Sequence, residues 1–449
     1  MQDLRIQMNK ILEVKEYDLL TYSEKYRNQK GAGQKYHFIE KENFDGLVHF
    51  IDKIAGNQNE EDQKPFLQVY WENGTGRVMK VGNYVGLIQL NNGFKLQILP
   101  KLTLGDEEDK TKKVLLDMLG CMKNFSGWKL SNANVADGPV SLYDIFIEMY
   151  VEEAQMLVKR GLRSAYVEKE DNLTCYRGKL QVSRQIRENM IHRERFCVTY
   201  EEFSLDCAEN RIIKATLLKL QKAVSDLKIA AKIRSLLIYF DKIQVPADVK
   251  SEFLKVRVDR NSRSYDRLMQ WSKTFLENKS FTCFYGKTEA KALLFPMEEV
   301  YENYVACKLK KHPENTWETS AQDREKYLFD TPRKFAIRPD IVLRKRDEKR
   351  CMILDTKWKI LKDDPVHNYG IKSADMYQMY VYSKRYKATD IWLLYPMTDW
   401  LKKKKDIVYD TGKTDAEFAT RIHIYGVDVT NIGASLQELL EKFEAEGVG

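Results

Sequence analysis

The residues whose types and spacing carry most chemistry lie between Phe335 and Lys359, in FAIRPDIVLRKRDEKRCMILDTKWK. Two runs rich in apolar and β-branched residues, 335–343 and 351–358, flank the charged turn RKRDEKR, which is the pattern of a β-hairpin. A strand alternates its side chains, so Cys351, Ile353, Asp355 and Lys357 share one face and Met352, Leu354, Thr356 and Trp358 the other. An acid and a lysine thus stand side by side at the end of an apolar strand. Antiparallel pairing brings Asp340, which follows Pro339 in the first run, near Asp355. A carboxylate in such a strand is costly unless it is paired or holds a cation. Two of them with a lysine fit Mg²⁺, which binds few protein ligands and keeps waters and phosphate oxygens in its shell. Such an ion polarises a phosphodiester and helps to generate hydroxide, while a neighbouring lysine orients that water or stabilises charge developing on phosphorus. For either Asp alone, an edge hairpin with an Asp-Lys pair at its rim is the plainer reading. The combination of P-D, fourteen intervening residues and D-T-K favours a catalytic site.

The pattern RPD…DTKWK resembles the PD-(D/E)xK nuclease core, carried here by Pro339, Asp340, Asp355 and Lys357. LLFPMEEVYENYVACKL (293–309) and ADMYQMYVYSKRY (374–386) are similar to the helices before and after that hairpin in the McrC family, the nuclease subunit of modification-dependent restriction systems. A PD…DxK match alone is a weak motif; the three parts together cover the last third of the chain and are more specific. YVGLIQL…LQILPKL within 84–102, YRGKL (176–180) and SLDCAENRIIKATLLKL (204–220) extend the likeness toward the N-terminus. The resemblance implies a metal-dependent endodeoxyribonuclease that uses Mg²⁺, with Mn²⁺ able to substitute, and cuts double-stranded, modified DNA of the 5-methylcytosine type. It also implies a partner, a McrB-type AAA+ GTPase hexamer that recognises and translocates DNA while the McrC-like subunit stimulates the GTPase and cuts. In this superfamily a glutamate of the preceding helix supports the metal, which makes Glu302 the third acidic candidate. A glutamine of the following helix holds the attacking water or a phosphate, which points to Gln378. The competing readings are a partly exposed helix glutamate and a surface glutamine. Glu298 and Glu299 match the family pattern less well.

The elements that must position these residues can be read from periodicity. Residues 1–35 are polar and end in the loop GAGQK. From 36 to 104 the pattern is β, with FLQVYW (66–71), RVMKVGNYVGLIQL (77–90) and FKLQILPKL (94–102) joined by turns at Asn73-Gly74 and Asn91-Asn92-Gly93. A small sheet or barrel is expected there. After the acidic break GDEEDK (105–110), Val114, Leu115, Met118, Leu119 and Met122 recur at helical spacing. Ser141 and Asp144 start a second helix, with Leu142, Ile145, Phe146 and Met149 on its apolar face and its end near Gly161. Residues 172–200 alternate like two strands bracketing a polar helix or loop, and 204–280 read as mostly helical and basic. Pro296 suits the first turn of a helix with Met297, Tyr301, Tyr304 and Val305 on one stripe. Beyond the hairpin follow a helix at 373–386, strands at 391–396 and 421–429, and a closing helix with Leu436, Leu439, Leu440 and Phe443 at i, i+3, i+4 and i+7. The expected fold class is mixed α+β in three segments. They are a β-rich partner-docking domain (1–108), a mainly helical DNA-placing region (109–280) and a restriction-endonuclease-like domain with a mixed sheet flanked by helices (281–449).

At 449 residues a prior of about 150 residues per domain also gives two to four domains. No apolar run approaches the roughly 20 residues that a membrane helix requires, and MQDLRIQMNKILEVKEYD has no signal-peptide core, so a cytoplasmic protein is expected. The seven cysteines show no C-x-x-C spacing, which points to reduced thiols and to neither a zinc site nor an iron-sulfur cluster. The charge, 74 basic against 66 acidic residues, is compatible with nucleic acid without proving it. Arg177 and Arg211 are candidates for DNA phosphates, as are Lys402, Lys403, Lys404 and Lys405; structural ion pairs and a solvated loop are the alternatives. GKT occurs at 286–288 and 412–414, but Phe281 and Ile407 stand where a P-loop needs its first glycine. This chain is therefore expected to bind no nucleotide itself, and any motor must be another chain. A stand-alone repair nuclease and a non-catalytic DNA-binding activator are the competing functions. The first would cut without a partner, and the second is opposed by the intact Asp340, Asp355 and Lys357.

Overall fold

The computed structural model describes residues 11–28, 35–55, 65–90, 92–102, 108–122, 142–224, 226–256, 263–277, 290–345, 350–404, 406–412 and 419–445. Ser141, Asn91, Cys283, Lys405, the GKT triplet at 286–288, the hairpin turn at 346–349, most of GAGQK and the first half of GDEEDK lie outside them. Two compact units emerge where the sequence reading has three consecutive segments. One comprises Met1–Pro139 with Leu293–Gly449, and the other Val140–Ala292.

The first unit contains a six-stranded mixed sheet in the order Glu318–Ala321, Ile341–Lys345, Arg350–Thr356, Asp390–Pro396, Arg421–Val427, Ile407–Asp410. Its three central strands run parallel, and the neighbours on both sides are antiparallel. Parallel strands need cover on both faces, and all seven residues of Asp390–Pro396 are buried. On one face Met379, Tyr382 and Tyr386 of the Ser373–Tyr386 helix pack with Val342, Ile353, Ile391 and Leu393. On the other, the helix Ile432–Ala445 buries Leu436, Leu439, Leu440 and Phe443, the stripe expected from the sequence, and Phe443 meets Trp392 edge-on at 5.1 Å.

The same unit holds two four-stranded sheets built mainly from the N-terminal third. One runs Tyr36–Phe38, Leu19–Thr21, Gly76–Val81, Leu67–Glu72; the other runs Ile11–Lys15, Lys95–Leu99, Tyr84–Leu90, Ala290–Pro296. The last strand comes from far along the chain. It passes so close to Gly86, at φ +134, that a Cβ there would lie 1.9 Å from the Leu293 carbonyl oxygen. Only glycine fits. The compact units divide at 139/140 and 292/293, not at 108 and 281.

The second unit packs helices Leu142–Arg160, Ala208–Ala223, Leu227–Tyr239, Val249–Leu254 and Arg263–Glu277 with an antiparallel sheet of Ala165–Leu173, Phe196–Ser204 and Lys179–Leu180. Its first helix ends just before Gly161, at φ +95. Asp226 and Asp248 cap two helices by accepting from main-chain N–H groups. Among the described residues no helix is long and apolar enough to cross a membrane.

Candidate active site

The antiparallel register pairs Ile341 with Leu354 and Arg344 with Cys351, so Asp340 falls opposite Asp355 one step beyond the ladder. The hairpin is shorter on its first side than the sequence pattern suggests. Its strand begins at Ile341, and Arg333–Ala336 pairs instead with Tyr327–Asp330 in a separate ribbon. Pro339 has no N–H for a ladder, and Phe335 sits at φ +58, so an extended strand cannot run through both. The second strand ends at Thr356, but the Lys357 N–H still donates to the Leu394 carbonyl at 2.9 Å, which carries the alternation one residue further.

The five candidate side chains converge. Lys357 Nζ lies 2.6 Å from Asp355 Oδ2 and 3.5 Å from Gln378 Oε1. The Gln378 amide donates to the Tyr382 hydroxyl at 2.7 Å, and that hydroxyl donates to the Arg338 carbonyl at 3.0 Å. Asp340 Oδ2 accepts from the main-chain N–H and the hydroxyl of Thr356, at 2.8 and 2.7 Å. Glu302, on the helix Met297–Lys311, accepts from the side chain of Gln322, whose own N–H donates to the Asp340 carbonyl at 2.8 Å. Glu302, Asp340, Thr356 and Lys357 line a cavity of about 460 Å³ together with Glu298, Glu299, Trp358, Lys359, Lys372 and Asp375. Thr356 and Gln322 were not singled out by sequence. Strand alternation places Thr356 on the opposite face from Asp355, and Gln322 belongs to no motif.

Burial raises all three acids and their proximity compounds it. Asp355 is pushed to about 7 by desolvation and then by Asp340, against the pull of Lys357. Glu302 also rises to about 7, through burial and the charges of Asp340 and Asp355. Asp340 stands above the usual carboxylate range because burial outweighs the Thr356 hydrogen bonds and the Lys357 charge. Burial works against the Lys357 ammonium, but Asp355, Asp340 and Asp375 more than compensate and hold it above its ordinary value. Mutually repelling acids around one cavity fit a hard divalent cation, which would relieve their repulsion. Among the described residues no three His, Cys, Asp or Glu side chains form a ready cage. Mg²⁺ needs none, since it accepts one or two carboxylates with waters.

A further contributor comes from the other end of the chain. The indole N–H of Trp358, next to Lys357, donates to both carboxyl oxygens of Glu16, at 3.1 and 2.9 Å. Glu16 is fully buried and also accepts from the Lys101 N–H at 3.0 Å. Tyr301, beside Glu302 on its helix, lies 5.2 Å from the Trp358 ring. With the hydrogen-bonded partners 342 positions apart in sequence, no local pattern could reveal the contact.

The DNA-contact candidates are dispersed. Arg211 is neutralised by Asp206, through two bonds of 2.7 and 2.8 Å, and by Glu252 at 3.3 Å, the ion-pair role that the sequence also allowed. Arg177 is exposed, with its guanidinium 4.6 Å over the Tyr200 ring. Lys402 and Lys403 are exposed on the short helix Asp399–Lys403, and Lys404 contacts Asp363 at 3.3 Å and covers the Tyr369 ring.

A solved structure described as a refined half-complex from a tetradecameric assembly of Thermococcus gammatolerans McrB AAA+ hexamers with bound McrC is similar over 97% of this chain and 100% of that chain. Identity is 20% and the TM-score 0.67, a likeness of fold. The cryo-EM structure of the Thermococcus gammatolerans McrBC complex matches 68% of this chain and 88% of that chain at 21% identity, and its TM-score of 0.49 is too low to carry an argument. No curated protein gives a significant match. A family model for the McrBC 5-methylcytosine restriction system component matches residues 79–396, a span that includes both sides of the hairpin, Glu302 and Gln378. The chain therefore belongs to the McrBC 5-methylcytosine restriction system component family.

Proposed function

We propose that this chain is the Mg²⁺-dependent DNA endonuclease subunit of a modification-dependent restriction system, with a PD-(D/E)xK core, and that it works with a separate AAA+ GTPase hexamer. The observation that carries this reading is the pairing of Asp340 and Asp355 across one hairpin, with the Lys357 ammonium 2.6 Å from Asp355 at the wall of a cavity. Asp340 and Asp355 would hold the metal with support from Glu302, and Mn²⁺ suits the same oxygens. The bound ion supplies positive charge that polarises the phosphodiester and acidifies water. Thr356 fixes the Asp340 carboxylate from two donors, which sets one wall of the site before substrate arrives. Lys357 remains a cation at neutral pH and is aimed by Gln378, which is itself held by Tyr382. That ammonium can orient the attacking water and offset charge building on the phosphoryl oxygens. The partner is inferred from family membership and from the likeness in fold to a chain of the McrB–McrC assembly.

Plasmid nicking with Mg²⁺, with and without the candidate GTPase, tests the reading. Asp355→Ala, Lys357→Ala and Asp340→Asn should each lower the rate by about 10²–10³-fold while circular dichroism stays unchanged. Glu302→Ala and Gln378→Ala should cost less, since both act in support. Undiminished nicking by the well-folded Asp355 and Lys357 variants would overturn it.

A further inference from the structure

Just before Asp340 the chain forms a two-stranded antiparallel ribbon, Tyr327–Asp330 against Arg333–Ala336. Seven of its eight strand residues are exposed, including Phe329 at 53% and Phe335 at 69%, which meet edge to face at 5.9 Å. Proteins bury phenylalanine where they can, and a two-stranded ribbon with no covering layer is marginal in water. An exposed aromatic pair on such a ribbon therefore calls for an occupant. The ribbon's charges indicate which kind. Asp330 is matched by Arg385 at 2.5 Å and Glu325 by Arg344 at 3.0 Å. Arg324, Lys326, Lys334 and Arg338 are exposed and make no ion pair among the described residues. With its acids neutralised and four cations unmatched, the ribbon offers a polyanion positive charge interleaved with aromatic surface.

Both legs of the ribbon are tied to the site. On the incoming side Gln322 donates to the Asp340 carbonyl and to Glu302. On the outgoing side the Arg338 carbonyl accepts from Tyr382, which holds Gln378. Whatever the ribbon grips is thus held in register with Asp340 and Lys357. We propose that the ribbon grips double-stranded DNA, with Lys326, Lys334 and the flanking arginines on backbone phosphates and the Phe329–Phe335 pair against apolar sugar and base surface in a groove. A two-stranded ribbon has the width to enter the major groove. This inference rests on the nuclease reading above and adds the surface that presents the duplex to it.

The test uses the full chain and a fluorescein-labelled duplex, followed by anisotropy without Mg²⁺ over a range of salt concentrations. Removing one phosphate-binding cation makes the slope of log K against log salt shallower by about 0.9, so the double variant Lys326→Ala, Lys334→Ala should flatten it by about 2. Phe329→Ala should weaken binding by about tenfold with the slope unchanged. Nicking at subsaturating DNA should fall in step for both, and unchanged thermal melting shows that they fold. If the wild type binds and cuts but these variants match it in affinity and slope, the ribbon proposal fails while the nuclease reading stands. A wild-type protein that neither binds nor cuts duplex, with its GTPase partner present, overturns both. Variants that bind DNA normally but no longer stimulate the GTPase would assign the ribbon to a protein contact and overturn the proposal.

Discussion

Replacing Glu16 with glutamine separates two roles of one buried carboxyl, accepting hydrogen bonds and carrying a proton. Burial is the dominant influence on this group and pushes it to about 8, with Glu298 adding to the effect against the hydrogen bonds from Lys101 and Trp358. The unfolded chain releases this proton near 4.5 and the folded chain keeps it to about 8, so between those values folding takes up a proton and stability falls as pH rises. At 1.36 kcal/mol for each tenfold change in acidity, the full loss is about 5 kcal/mol, of which about 3–4 falls between pH 5 and pH 8. Glutamine keeps a carbonyl for the Trp358 and Lys101 donors but does not titrate. E16Q should lie within about 1 kcal/mol of wild type at pH 5 and gain a further advantage of about 3–4 kcal/mol by pH 8. Urea unfolding followed by circular dichroism at several pH values reads the gap, and groups that titrate in both proteins cancel from it. A gap that stays constant from pH 5 to pH 8 would refute the reasoning and show that the folded protein carries an ionised Glu16. Glu16→Ala instead removes the acceptor of both N–H donors and leaves the buried Trp358 indole unpaired, at about 1–3 kcal/mol. Because Trp358 adjoins Lys357, it should also slow nicking by up to about 10²-fold, whereas E16Q should nick like wild type at pH 7.

Gly86→Ala drives a methyl group into the Leu293 carbonyl at a φ that disfavours side chains, and it should cost more than about 4 kcal/mol, seen as a collapsed melting temperature. Asp390 resists the effect of burial because His423, Thr389 and Arg421 donate to it, and it is held at about 2. Its contribution is present above 3.8 and lost as pH falls toward 2, so Asp390→Ala should cost about 3–5 kcal/mol at pH 7 and progressively less below pH 3.8 in urea titrations. A fragment starting near residue 281 loses Glu16 and three strands of the sheet that holds Ala290–Pro296; it should aggregate or nick far more slowly than the full chain, and full activity would show that the N-terminal strands are dispensable.

What the sequence made legible was local and periodic. Alternation around Asp355 placed Lys357 on its face, and a Pro-Asp followed by an apolar run placed Asp340 opposite, because strand period and antiparallel register leave little freedom. Helical stripes at 297–305 and 373–386 correctly located the elements that bring Glu302 and Gln378 to the hairpin. The ribbon was misread for a physical reason. FAIRPDIVL is apolar enough to pass for one strand, and composition does not record that Phe335 takes a positive φ or that the ladder restarts after Pro339. Side-chain partners such as Thr356 for Asp340, and Gln322 for Glu302, depend on where loops close, which no periodicity encodes.

The contact between Glu16 and Trp358 also bears on the expected division of labour, in which the N-terminal segment docks and the C-terminal segment cuts. A hydrogen-bonded, fully buried carboxyl cannot shift without leaving donors unpaired in a low-dielectric interior, so the end of the Ile11–Lys15 strand and the residue after Lys357 move together or not at all. The strand Ala290–Pro296 adds a second link, because it is paired in the N-terminal sheet and leads directly into the helix that carries Glu302. Two connections therefore run from the N-terminal sheet to the lining of one cavity, to Trp358 after the hairpin and to Glu302 on the helix. A partner that bound this sheet and altered its twist would act on the spacing between those two positions, and with it on the separation of Glu302 from Asp340. If the chain docks through this sheet and cuts at the hairpin, as proposed, the two activities would be mechanically joined within the first unit rather than assigned to separate segments.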